Sequence, residues 1–171
     1  MLTLQPSDTH QVENARRGRL VRRVAIVLIA AFVAAGVFGV FGYRQGTTAA
    51  HTADYDIDLD YPSVTRAGLP AHWAIEVVRR DGDAIGPVEI RTSANYLDLF
   101  DHNDLVPSPD SITQSIADVA WTYDRVDSST LLVTLDIRTQ PNARWRYPAT
   151  TEVVIDDDVV ATFHYRTTVA P

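Results

Sequence analysis

The densest group of oxygen ligands in the 171-residue chain is Asp98-Leu-Phe-Asp101-His102-Asn103-Asp104. Calcium takes about six to eight oxygens, so Asp98, Asp101, Asn103 and Asp104, with Asp110 close by, are the candidate calcium ligands. Asp and Asn also bond their own backbone in turns, and a plain turn accounts for the same residues. No other cofactor is expected. The run Asp54-Tyr-Asp-Ile-Asp-Leu-Asp60 has a calcium-loop spacing at its start and fails it later. Leu59 stands where glycine is needed, and Thr65 where glutamate is needed. Asp156-Asp-Asp158 reads as a hairpin turn. The histidines His72, His102 and His164 lack the close spacing of a zinc site. There is no Gly-x-Ser-x-Gly, no glycine-rich phosphate loop and no cysteine, so no enzyme is expected. Arg144-Trp-Arg-Tyr147, between Pro141 and Pro148, combines cations with large aromatic rings. That mixture suits a contact with a partner. Trp73 and Trp121 fall at inward positions and belong to the core.

These groups must be carried by elements, and the first is unmistakable in composition. Residues 24–43 contain no charge. As a helix this run would be roughly 30 Å long, the thickness of a bilayer's hydrocarbon core. Five arginines precede it (Arg16, Arg17, Arg19, Arg22, Arg23) and Arg44 follows. The asymmetry places the N-terminus in the cytoplasm and the rest outside a plasma membrane. The run exceeds a signal peptide's apolar core, which favours an uncleaved anchor. Thr48-Ala-Ala50 would nonetheless serve as a cleavage site. Ala31, Ala35 and Gly39 recur every fourth residue, a small-residue face for packing against another membrane helix.

Charge divides at the span. Residues 1–23 hold five Arg against Asp8 and Glu13, a net +3. The remainder holds ten Arg against twenty acids, a net −10. The basic tail suits the inner membrane surface. The acidic remainder is unsuited to nucleic acid, whose phosphates it would repel. All fifteen basic residues are arginine, which points to a high-GC bacterial coding sequence. The expected divisions are a cytoplasmic tail (1–23), a transmembrane helix (24–43), a spacer (44–53) and an extracytoplasmic domain (54–171).

From residue 54 apolar residues alternate with polar ones, the pattern of half-buried strands. Tyr55, Ile57, Leu59 and Tyr61 face inward, leaving a solvated acidic face that resists edge pairing, and Pro62 ends the strand. Trp73, Ile75 and Val77 alternate next, followed by turn signals at Asp81-Gly82 and Gly86-Pro87. Val88–Thr92 is a strand that Asn95–Phe100 could continue. Residues 101–118 form the longest loop. Val119–Tyr123 and Leu131–Arg138 are strands, and 150–155 with 159–169 make a hairpin. About seven short strands without an amphipathic helix predict an all-β antiparallel sandwich.

Val64-Thr-Arg-Ala-Gly68, Trp73-Ala-Ile-Glu-Val77, Val119-Ala-Trp-Thr-Tyr123 and Ser129-Thr-Leu-Leu-Val-Thr-Leu135 together resemble the immunoglobulin-like repeats of bacterial surface proteins. The resemblance implies an immunoglobulin-like sandwich and an adhesive, spacing or accessory role, and it brings no catalytic residues. The expectation is a single-pass membrane protein whose sandwich serves a neighbouring membrane or envelope protein. The alternatives are a cation- or ligand-sensing module built on the 98–110 loop, and an envelope enzyme.

Overall fold

The computed structural model describes residues 7–37, 42–143 and 145–170. The chain divides into two compact units, one ending at Gly42 and one beginning at Tyr43. The first contains one helix, α1 (Ser7–Val37). It carries the apolar run as far as Val37, and Ala31 lies on it, exposed. The side chain of Ala35, all of Gly39 and the stretch 38–41 of the expected span lie outside the described residues. Among the described residues, no helix is long and apolar enough to cross a membrane.

The second unit is β apart from one helical turn. In chain order it comprises β1 (Arg44–His51), β2 (Tyr55–Arg66), β3 (Pro70–Arg79) and β4 (Val88–Ser93). The turn α2 (Ala94–Leu97) leads to β5 (Phe100–Val106), β6 (Ser111–Gln114) and β7 (Asp118–Tyr123). β8 (Thr130–Thr139), β9 (Trp145–Ile155) and β10 (Asp158–Ala170) complete it. Hydrogen bonds order the strands β5-β8-β3-β2-β10-β9-β4-β7-β6, with β1 added to β2. Trp73 on β3 and Trp121 on β7 stand far apart in that order, yet their rings meet edge to face at 5.7 Å. The sheet therefore curls over one core, as the sandwich expectation requires. The pairing is antiparallel throughout except for one seam, where Thr168–Ala170 of β10 runs parallel to Val64–Arg66 of β2. β2 is long enough to serve two partners, giving Tyr55–Asp60 to β3 and its last residues to β10.

Period-two patterning fills the core. Ile57, Leu59, Trp73, Ile75, Val77, Ile90, Val133 and Val153 are fully buried. Each such side chain contributes roughly 1.5–3 kcal/mol. Five threonines, Thr65, Thr92, Thr139, Thr151 and Thr167, are buried among them. Their hydroxyls are satisfied across the core: Thr65 bonds Thr139 at 3.0 Å, and Thr92 bonds Thr151 at 3.0 Å. The Tyr165 hydroxyl meets Thr151 at 2.9 Å and accepts from the Trp73 indole at 3.1 Å. Thr167 bonds the Tyr96 hydroxyl at 3.0 Å. Among the described residues no buried side-chain polar atom lacks a partner, so these buried hydroxyls incur no desolvation penalty.

Five expectations are corrected. The 44–53 spacer is largely strand β1, which pairs with β2 from Arg44 opposite Val64 to His51 opposite Asp56. Its small residues alternate in burial and accept the ladder that β2 offers. The acidic face of β2 consequently does not resist pairing. Pro62 does not end β2. It sits beside a register shift between Arg44 and Gln45, a bulge that tolerates the missing N–H. Residues 94–97 turn helically instead of continuing β4. The 101–118 loop contains β5 and β6, because the edges of β8 and β7 supply backbone partners that outweigh weak intrinsic preference.

Candidate functional site

Register decides which turns share an end of the second unit. Arg44 lies opposite Val64, Val64 opposite Thr168, Trp145 opposite Val169 and Pro70 opposite Arg138. The starts of β1, β3 and β9 therefore meet the ends of β2, β8 and β10. This near end is where the chain enters the sheet. At the far end Tyr55 lies opposite Arg79, Val78 opposite Thr130, and Ile155 opposite both Asp158 and Val88.

The near end gathers exposed cations and exposed rings. Arg44, Arg66, Arg138 and Arg146 are all exposed there. Among the described residues none of the four has a carboxylate within ion-pair distance. The described ion pairs of arginines are those of Arg79, Arg80, Arg91 and Arg125. Asp98, which caps α2, Asp101, opposite Arg138, and Asp118, opposite Ser93 at the start of β7, are acids of this end. Tyr43, Leu69 and Trp145 are exposed, Trp145 to 80%. Trp145 also holds φ at +76°. A bulky residue in that region is an outlier that costs on the order of 1–3 kcal/mol, and such strain concentrates at functional positions.

The far end has the opposite composition. Asp54, Asp81, Asp83, Asp110, Asp124, Asp127, Asp156, Asp157 and Asp158 surround its turns. Its three arginines are all engaged. Arg79 meets Asp81 at 2.9 Å, Arg80 meets Asp56 at 2.6 Å, and Arg125 meets Asp127 at 2.6 Å. Arg80 hydrogen bonds, joined by His51, hold the Asp56 carboxyl down at about 2. The Asp83 backbone N–H, with Arg79, lowers Asp81. The Tyr123 hydroxyl is pushed up to about 12, first by burial and then by Asp110.

The remaining candidates fall as follows. Asp98, Asp101 and Asp104 are exposed on α2 and β5, and the Asn103 side chain lies outside the described residues. Among the described residues no group of three His, Asp or Glu is placed to hold a metal ion. Asp104 lies opposite Asp136, whose carboxylate stands 3.5 Å from His72. Asp156 and Asp157, at φ 51° and 68°, form the expected hairpin turn between β9 and β10. Of the contact candidates, Arg144 lies outside the described residues. Trp145 and Arg146 are exposed on β9, and Tyr147 is half-buried against the core. They lie in a strand, not in the loop expected from Pro141 and Pro148. A hydroxyl–imidazole contact joins Thr150 and His164 at 3.1 Å on an exposed strand face, without a carboxylate to orient the ring. The grooves on the described surface are open. One of them is lined by Asp110, Tyr123, Arg125, Val126 and Leu132.

Sequence reasoning singled out Trp145 and Arg146, and it did not single out Tyr43, Leu69, Arg44, Arg66 and Arg138, which the register places at the same end. No local motif marks these five, and only strand register brings them to one end.

No protein-family model matches the chain, and no curated protein matches it in sequence. Among solved structures it is similar to CaCohA2 from Clostridium acetobutylicum at 15% identity and TM-score 0.46, over 63% of this chain and 85% of that one. A cohesin module from a Clostridium perfringens family 33 glycoside hydrolase is 8% identical at TM-score 0.46, over 70% and 100%. The fimbrial subunit MyfA of Yersinia enterocolitica, in self-complemented form, is 12% identical at TM-score 0.36, over 75% and 99%. Likenesses of this size bear on neither activity nor partner.

Proposed function

We propose that this protein is a single-pass, membrane-anchored extracytoplasmic module that works by surface contact, not by catalysis, in the cell envelope. The observation that carries this reading is on α1. Val24, Ile26, Val27, Leu28 and Ile29 are all exposed, at 51–65%. Side chains so closely spaced point to every side of a helix, and a helix apolar all round belongs in lipid or among other apolar helices. The arginines before it give the cytoplasmic side. The open grooves and paired far-end arginines support contact as the mode of action. Trp145 and Arg146 supply the contact surface, since Trp and Arg are among the residue types enriched where binding energy concentrates.

The chain has no cysteine, so single reporters can be introduced without background. Ser7→Cys and Asp83→Cys chains are expressed separately at full length in bacteria and probed with a membrane-impermeant maleimide. The chain is expected to stay with membranes through alkaline carbonate. Asp83→Cys should label in intact cells, and Ser7→Cys only after lysis. Release by carbonate, or labelling of Ser7→Cys in intact cells, would overturn the reading.

A further inference from the structure

We infer that the near end of the sandwich rests on the membrane surface itself, with Trp145, Leu69 and Tyr43 in the interfacial zone and the surrounding arginines on anionic lipid headgroups. The inference builds on the anchoring proposed above and names what the contact surface touches.

The first argument is reach. The uncharged run ends at Tyr43, and β1 begins at Arg44. On the anchoring reading the first strand thus follows the uncharged run directly in sequence, a step of about 3.3–3.6 Å at most per residue. The second argument is chemistry. Trp and Tyr favour the bilayer–water interface, where an apolar ring and a polar edge are both satisfied. Trp145 is the most exposed ring of the second unit and is held outward by a strained backbone. The third argument is the state of the cations. Arg44, Arg66, Arg138 and Arg146 have no carboxylate partner among the described residues, whereas every far-end arginine has one. A guanidinium fork matches a phosphate in geometry and charge. Asp98, Asp101 and Asp118 oppose this attraction, and the four exposed arginines outnumber them. The fourth argument is orientation. An anionic surface repels the nine far-end aspartates while it attracts the near end, so the field of the molecule turns the same face down.

Tryptophan emission tests the idea on the full-length chain. Trp73 and Trp121 are 0% and 4% exposed, so lipid-borne bromine can reach Trp145 and not the core rings. The chain is reconstituted into vesicles of phosphatidylcholine and phosphatidylglycerol, with and without lipid brominated near the headgroup. Bromine is expected to quench wild-type emission, and Trp145→Phe should lose that quenching. Wild-type chain in vesicles of phosphatidylcholine alone, which needs no substitution, should show quenching reduced by about half. Equal quenching in wild type and Trp145→Phe overturns the inference. Equal quenching in neutral and anionic vesicles overturns its arginine–phosphate part. Flotation separates the two levels of the argument. A chain that fails to float with the vesicles overturns the anchoring reading, while one that floats with Trp145 unquenched overturns the surface contact alone.

Discussion

The two ends of the sandwich are made by the same strands and differ in nearly every chemical respect. Among the described residues, the near end has four exposed arginines without carboxylate partners, three aspartates and three exposed large apolar side chains. The far end has nine aspartates, and its three arginines are all ion-paired. Paired charges at an exposed end are worth little in stability, but they present a surface already satisfied with itself. Unpartnered guanidinium groups beside an exposed, strained Trp present one that is not. The strand ladder does not require this polarity, because turns at either end tolerate either composition. The proposed contact surface rests on this difference and not on any pocket.

The near end depends on β1, and the largest expected effect comes from displacing it. A Cβ on Gly46 would lie 2.8 Å from Cζ of Tyr61. Tyr61 cannot swing freely, since its ring packs on Tyr165 at 4.6 Å. Gly46→Leu should therefore cost about 2 kcal/mol, the usual penalty for overpacking. Urea unfolding of the full-length chain in detergent would read it. An unchanged midpoint would mean that β1 is not held closely against β2.

The next effect is smaller and of opposite sign. Trp145 and Asp157 both hold positive φ, at 76° and 68°, one at each end. Aspartate tolerates the left-handed region far better than a bulky ring does. Trp145→Gly should thus stabilise the chain by about 1 kcal/mol, and Asp157→Gly by a few tenths. The same denaturant measurement compares them. If Asp157→Gly gains as much as Trp145→Gly, the near end stores no special strain and the ends differ in charge alone.

Much of this architecture is legible from period two. The inward faces Ile57–Leu59, Trp73–Val77 and Leu131–Ile137 are buried as their alternation requires. Edge strands are a different matter. β1, β5 and β6 lack a sustained apolar–polar alternation, and their strand character comes from the neighbour they pair with. The hydrogen-bonded threonines are similarly hidden, because a strand Thr facing the core looks the same in sequence as one facing water. The Trp145-Arg146 pair is visible in sequence as an aromatic beside a cation. Its companions Leu69, Arg66 and Arg138 become neighbours only through register, and a register is a property of pairs of strands.

The smallest expected effect is a pH dependence confined to the far end. The Asp56 carboxyl is held at about 2 against an ordinary 3.8, chiefly by hydrogen bonds from Arg80 and next by His51. Those bonds are 3.0 Å and 2.6 Å from the guanidinium and 2.7 Å from the ring. The folded chain thus favours the ionised carboxylate more than the unfolded chain does. The resulting stabilisation is complete above the ordinary carboxylate value and disappears as pH falls from 3.8 through about 2. Asp81 is lowered as well, by the Asp83 N–H and Arg79, and adds in the same direction. Both groups are solvent-exposed and screened by salt, which keeps the effect small. Melting temperature followed between pH 4 and pH 2 should fall less steeply in Asp56→Asn than in wild type. Arg146→Met, at the near end, should leave the slope unchanged, because no carboxylate there depends on that arginine. Equal slopes in wild type and Asp56→Asn would show that the Arg80 pairing adds no stability. A changed slope in Arg146→Met would show that the near-end arginines do have acidic partners, and the charge contrast between the ends would then be one of degree.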